Sequence, residues 1–165
     1  MSSLLHCQIS SDIQDLNKLH KKHWWIPNET MIRPSPKIID DKHNFSNYIL
    51  HNWMSFRDFI LDSHFKYPVG IEDGHIYIFN DVKKSEWNFQ QSVFPYQVPD
   101  KVNHYVLWNS LFDYKVIIDE YLINDIIKDK LTYMIGSDDF DFAWYCNPKP
   151  SIPELWHCQV FWIRT

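Results

Sequence analysis

The chain has 165 residues, a formal net charge of −5 and a pI of about 5.9. This length predicts one domain that buries about two-thirds of its unfolded surface. The acidic balance excludes a basic field that would hold the protein on bulk nucleic acid. The sequence shows no apolar leader and no apolar run of about 18 residues, so we expect neither secretion nor contact with a membrane.

Aromatic residues are unusually frequent, at 17% of the chain. Two interpretations are open, because the rings could build the core or could line a pocket that stacks on a flat ligand. The 3 cysteines, Cys7, Cys146 and Cys158, are widely spaced. They indicate neither a zinc finger nor a disulfide framework, and they favour a reducing, cytoplasmic compartment. Ala is nearly absent, which is typical of an AT-rich genome such as that of a protist or a large DNA virus, whose protein would lie in the host cytoplasm.

The predicted elements alternate helices with short strands. Apolar periodicity and capping residues predict helices over about 11–22, from 44 or 46 to about 60 with a break near Ser55, and over 117–131. Strands are predicted over 75–79, 102–108, 140–146 and 156–163. Residues 1–10 are expected to be a loose N-terminus, and 27–43 and 80–92 to be loops.

These elements lack a strict βαβ rhythm. They predict one α+β domain over residues 1–165, with a mostly antiparallel sheet of about four to six strands and three to four packed helices.

Two segments, 92–109 and 147–163, share one construction in which a proline-bearing loop leads into a strand near a histidine. Side chains alternate along a strand, so each strand has two sets of residues that share a face. The sets are His104, Val106 and Trp108 on the first strand, and His157, Gln159 and Phe161 or Cys158, Val160 and Trp162 on the second. We predict that the two strands lie against each other and bring His104 beside His157 in a common cavity.

Five short motifs in these segments also carry a resemblance. They are Phe94-Pro95-Tyr96, His104 to Trp108, Asn147-Pro148, Ser151 to Leu155, and His157-x-Gln159-Val160-Phe161. They resemble the signature blocks of the N-acetylglucosamine-induced protein 1 family, which has members in fungi and large DNA viruses. The resemblance covers roughly residues 45–165 and implies a domain of unknown function, since the family is named for when the fungal genes are expressed. The family's second block usually reads His-x-His, and Gln159 stands here in place of the second histidine.

Six side chains are predicted to bind a ligand, and they are Tyr96, His104, Trp108, Asn147, His157 and Gln159. His104 and His157 are also the candidate catalytic residues, because an imidazole can donate to phosphate or carbonyl oxygen and can exchange a proton near neutral pH. Gln159 does not titrate and could only orient a ligand. Structural alternatives stay open: hydrogen-bonded structural histidines, Trp108 in the core, and Asn147 as a turn residue before Pro148.

Stricter templates find little support in the sequence. A histidine-triad hydrolase needs alternating histidines along a strand, and His157 alone fits. His104 and His157 with Asp100 or Cys158 would suffice in number for a metal, but without tight ligand spacing. The acidic cluster 137–141 is more typical of a solvated loop than of a cation site. We therefore predict no metal and no cofactor, and no phosphate-binding glycine loop occurs.

The leading hypothesis is a binding domain for a small polar or planar ligand, such as a nucleotide, a sugar phosphate or a modified nucleic-acid end like an mRNA cap. The first alternative is a hydrolase or transferase acting on a phosphorylated small molecule, with His157 and His104 as acid and base. The second is a structural protein without a ligand, whose exposed aromatic residues dock a protein partner. Whether the protein is an enzyme stays open at this point.

Overall fold

The computed structural model describes residues 15–32 and 35–165. Its helices are α1 (Leu16–Lys22), α2 (Pro36–Asn52), α3 (Phe56–Ser63) and α4 (Glu120–Ile135). Its strands are β1 (Val69–Glu72), β2 (His75–Ile78), β3 (Trp87–Gln91), β4 (Asn103–Asn109), β5 (Phe140–Tyr145) and β6 (His157–Arg164). Strands β1 and β2 form an antiparallel hairpin, and the other strands form an antiparallel sheet in the order β3-β4-β6-β5. The predicted α+β fold is thereby confirmed.

Strands β4 and β6 are the inner pair of the four-stranded sheet. Their antiparallel register places His104 opposite Phe161, Val106 opposite Gln159 and Trp108 opposite His157. The predicted pairing of the two histidine-bearing strands is therefore confirmed. Because inner strands are hydrogen-bonded to a neighbouring strand on both sides, β4 and β6 form a rigid floor from which their side chains project.

Helix α4 covers one face of this sheet. Its buried residues Ile123, Ile127 and Leu131 recur at helical spacing. They pack in one cluster with Cys158 and Val160 of β6. Asp119 caps the helix at its N-terminus, and Gly136 ends it in a left-handed conformation with a φ of 85°. Helix α4 therefore covers this face of the sheet with apolar side chains.

Helices α2 and α3 cover the opposite face. Ile49 of α2 and Phe59 of α3 are buried in one cluster with Val106 and Trp108 of β4. Helix α1 packs at the other end of this face, in a cluster that contains Phe161. Among the described residues, no helix combines the length and the apolar character that a membrane crossing requires.

Two of the predicted loops are wrong in part, because one contains the start of a helix and the other contains a strand. Residues 36–43 begin α2, because the Ser35 hydroxyl accepts the Ile38 amide proton at 3.3 Å and Pro36 occupies the first helical turn. Proline is favoured there, since its fixed φ suits a helix start and its missing N–H is not needed. Residues 87–91 form β3, which pairs with β4. The predicted break near Ser55 is confirmed, and Ser55 caps α3. The predicted loose N-terminus, the helix start near Ser11 and Cys7 lie outside the described residues.

Candidate functional site

A cavity of about 270 Å³ opens over the centre of the β4–β6 pair. Helices α2 and α3 form its roof, and the loops 91–96 and 147–152 form its sides. All six side chains that the sequence predicts as ligand-binding line this one cavity: Tyr96, His104, Trp108, Asn147, His157 and Gln159. Most of the remaining wall is aromatic or aliphatic, which is typical of small-molecule sites.

His104 has a hydrogen bond at each ring nitrogen. The backbone N–H of Tyr96 donates to Nδ1 at 3.0 Å, and Nε2 lies 2.6 Å from the Oε1 atom of Gln159. A backbone N–H can only donate, so Nδ1 is the acceptor and the neutral ring carries its proton on Nε2. The ring is also covered by Tyr96 at 4.6 Å and Phe161 at 4.8 Å between centroids. His104 therefore positions its neighbours and has no atom left for a ligand.

Gln159 is oriented by this bond. Its carboxamide oxygen accepts the Nε2 proton of His104, which turns the amide nitrogen away from the ring. That nitrogen has no hydrogen-bond partner among the described residues, although its side chain lines the cavity. The amide group is thus a fixed donor that a ligand can use.

His157 is held in the opposite tautomer. Its Nδ1 lies 2.9 Å from the carbonyl oxygen of Leu155, so Nδ1 carries the proton and donates it. Nε2 is then an acceptor, and no described residue bonds to it. Trp108 stacks on the ring at 4.3 Å, and Tyr114 lies 5.2 Å away. His157 can reach a ligand only through the edge that carries Nε2.

The two histidines share the cavity but do not stand side by side, so that part of the sequence-based prediction is wrong. In the register of β4 and β6, the partner of His157 is Trp108, four residues along β4 from His104. At about 3.3 Å per residue, this offset separates them by roughly 13 Å along the strand. No contact joins them, so they do not form a catalytic pair.

Both imidazoles are neutral at pH 7. Burial, with a smaller effect of the positive charge of Lys42, lowers the pKa of His104 to about 4 against the raising effect of its hydrogen bond to Gln159. Burial also lowers the pKa of His157, against the effect of its bond to the Leu155 carbonyl. His64, at the roof, has its pKa lowered to about 4 by burial and by Lys66. Among the described lining residues, Lys42 is the one Lys or Arg and no Asp or Glu occurs.

The two loops beside the cavity are anchored by tyrosine hydroxyls. Tyr96 and Tyr145 share a hydrogen bond of 2.8 Å, and Tyr114 donates to the backbone oxygen of Asn147 at 2.6 Å. The Asn147 carboxamide oxygen accepts a hydrogen bond from the Lys149 backbone N–H at 2.9 Å, which is typical of an asparagine in a turn. Asn147 therefore lines the cavity and also shapes its loop.

The roof residues escaped the sequence analysis. Lys42, Ser46 and Ile49 lie at spacings of four and three residues on α2 and all face the cavity. Ser46 and Ile49 lie in the predicted second helix, but Lys42 lies in the stretch 27–43 that the sequence predicts as a loop, so the sequence does not group the three as site residues. Phe59 and His64 of the next helical segment, which also line the cavity, were likewise not proposed as site residues.

The residues that the sequence suggests for a metal site are not grouped together in the described part of the chain. Within residues 15–32 and 35–165, no three His, Cys, Asp or Glu side chains form a group that could hold a metal ion. Cys158 lies on the α4 side of the sheet, away from His157.

Comparisons with known proteins leave the family open. No protein-family model matches the chain, and no curated protein matches it. The chain is similar to a crystal structure of HTC1, with a TM-score of 0.45 and 14% identity over 82% of this chain and 78% of that one. This likeness carries no argument about function. The resemblance to the N-acetylglucosamine-induced protein 1 family stays a prediction.

Proposed function

We propose that this domain binds a small polar, planar ligand in the cavity over β4 and β6. Nucleotides, sugar phosphates and cap-like nucleic-acid ends are the ligand classes to consider. The observation that carries the proposal is a pair of polar atoms that have no hydrogen-bond partner in the described part of the chain, the Gln159 amide nitrogen and His157 Nε2, on side chains whose orientation is fixed. Prepositioned donors and acceptors among apolar walls are the usual source of specificity in ligand sites.

The geometry supports binding more than catalysis. General acid–base chemistry needs a proton-transfer group whose pKa lies near the working pH. His104 has both nitrogens engaged, and burial lowers its pKa to about 4. His157 donates to a backbone carbonyl, and no carboxylate among the described lining residues could support it as a base.

A hydrolase or transferase remains the second candidate because of one observation, the unpartnered Nε2 of His157 in the cavity. That atom could accept a proton from a nucleophile without help from His104. An enzyme would convert a bound phosphorylated compound, and His157→Ala would abolish its turnover while leaving its affinity within a few-fold. A binding domain would show no turnover in either protein.

Thermal-shift and calorimetric titration against nucleosides, nucleotides, cap analogues and sugar phosphates tests the proposal. A ligand at 100 times its Kd should stabilise the fold by about 2.7 kcal/mol. Ser46→Phe, which fills the cavity from α2, should abolish the shift. Asn47→Phe adds the same side chain on the exposed neighbouring position and should leave it intact. The proposal fails if no compound binds, or if Ser46→Phe binds as well as the native protein.

We also propose that the protein works in a reducing, cytoplasmic compartment. Cys146 and Cys158 are both free and buried. Burial raises the pKa of Cys146 to about 12, so the thiol stays protonated and unreactive.

A further inference from the structure

We infer that the ligand is a nucleoside monophosphate, with the polar edge of its base held between Gln159 and His157 and its phosphate at Lys42. This inference rests on the proposed function and narrows it to one ligand class.

The directions of the hydrogen bonds follow from two backbone groups. The Tyr96 N–H can only donate, which makes His104 Nδ1 an acceptor, His104 Nε2 a donor and the Gln159 oxygen an acceptor. The Leu155 carbonyl can only accept, which makes His157 Nδ1 a donor and leaves Nε2 an acceptor. On the floor of the cavity, Gln159 therefore offers a donor and His157 offers an acceptor. A complementary ligand offers an acceptor and a donor.

The spacing allows one ring system to reach both groups. Gln159 and His157 are two residues apart on the same face of β6, so their backbones are about 7 Å apart. Each hydrogen bond spans about 3 Å, so two polar atoms on one compact edge of a ligand can reach both side chains. Nucleobases present such an edge, with a carbonyl or ring-nitrogen acceptor close to an N–H donor. Sugar hydroxyls also satisfy both groups but lack a flat face for the Phe45, Phe59 and Phe94 side of the cavity.

The charge selects a single anionic group. Lys42 lines the cavity from α2 and forms no ion pair in the described part of the chain, and its positive charge is felt at His104 on the floor. The imidazoles are neutral and the described walls are otherwise uncharged, so further phosphates would gain no cationic partner there. One phosphate can pair with the one ammonium.

Isothermal titration with the four common ribonucleosides, their 5′-monophosphates, their 5′-triphosphates and glucosamine 6-phosphate tests the inference. For at least one base we expect the monophosphate to bind about tenfold more tightly than the nucleoside, because the phosphate adds one charge-assisted hydrogen bond. The triphosphate should bind no more tightly than the monophosphate. Lys42→Met should reduce the affinity for the monophosphate to that for the nucleoside. Lys128→Met, on the exposed side of α4, should change neither of these two affinities.

Gln159→Glu tests the base contact. The carboxylate still accepts the His104 proton but cannot donate, so the nucleoside and the monophosphate should both lose about tenfold in affinity. Gln159→Met removes the donor without adding charge, and it also removes the oxygen that accepts the His104 proton, so the loss should be at least as large. Gln90→Glu on β3 makes the matched charge change at a residue that does not line the cavity, and it should leave binding unchanged.

Three results would overturn the inference, and the first two of them separate it from the proposed function. A preference for triphosphates or glucosamine 6-phosphate that Ser46→Phe abolishes contradicts the ligand class but keeps the cavity as a binding site. The same holds if neither Gln159 variant weakens binding. No binding of any compound contradicts both.

Discussion

The imidazole of His104 donates its Nε2 proton to the carboxamide oxygen of Gln159, 2.6 Å away across the central pair of strands. This bond fixes which end of the amide faces the cavity. His104 thus acts on any ligand through Gln159, and the chemical character of the site is set by a residue that the ligand does not touch.

The two histidines should show opposite tautomers in solution. Long-range proton–nitrogen correlation spectra at pH 7 should identify His104 as the Nε2–H form and His157 as the Nδ1–H form, because of their bonds to Tyr96 and Leu155. A shared tautomer, or a protonated ring at pH 7, would contradict the hydrogen-bond directions on which the ligand class depends.

His104→Ala should lower the free energy of unfolding by about 2–4 kcal/mol, because it leaves a cavity between Tyr96 and Phe161 and breaks two hydrogen bonds. Urea unfolding measures this loss. His51→Ala, at an exposed position of α2, should stay within about 0.5 kcal/mol of the native protein. If both substitutions lowered the free energy of unfolding equally, His104 would not be a stabilising residue of the cavity floor.

Stability should fall as the pH drops below 6.5. The folded-state pKa of His104 is lowered to about 4 from an ordinary value of 6.5, so in this range the unfolded chain binds a proton that the folded chain does not. The stability present above pH 6.5 is therefore lost progressively toward pH 4. From pH 7 to pH 5, His104 alone should account for about 2 kcal/mol.

His104→Phe keeps a ring at this position and removes its titration. Urea unfolding of this variant at both pH values should show a smaller loss than the native protein. His64 and His157, whose pKa values are also lowered, should supply the remaining slope. An identical pH dependence in both proteins would contradict the assignment.

Asp58 should be a polar residue of α3 whose truncation destabilises the fold. One carboxylate oxygen accepts from the Ser55 hydroxyl at 2.5 Å, and the other accepts the Ile78 amide proton at 2.9 Å, which ties the start of α3 to β2. Asp58→Ala should cost about 2 kcal/mol in urea unfolding and weaken ligand binding, since α3 roofs the cavity. Asp125→Ala, exposed on α4, should do neither.

The alternation of side chains was enough to predict the floor of the site. The period of two along β4 and β6 places His157, Gln159 and Phe161 on one face whatever the register. The register itself is not contained in that pattern, because a shift by two residues keeps every side chain on its face. The offset of His104 from His157 therefore required the structure.

Residues 36–43, the N-terminal part of α2, are difficult to predict as a helix because proline is an ambiguous signal. Pro36 stands in a polar, proline-bearing stretch, which favours a loop, but directly after Ser35 it is also a good first residue of a helix. Strand β3 was missed for a related reason. Trp87 and Phe89 alternate with polar residues, but five residues give a weak signal beside a lysine-rich loop.

The most direct test of the account is the side-chain amide resonance of Gln159 in nitrogen-15-labelled protein during titration with a nucleoside monophosphate. We predict that the Gln159 NH₂ signals shift and saturate with the calorimetric Kd, while those of Gln90 do not move. Saturable binding that leaves the Gln159 signals in place would contradict the central claim, that this amide is the donor held ready for the ligand.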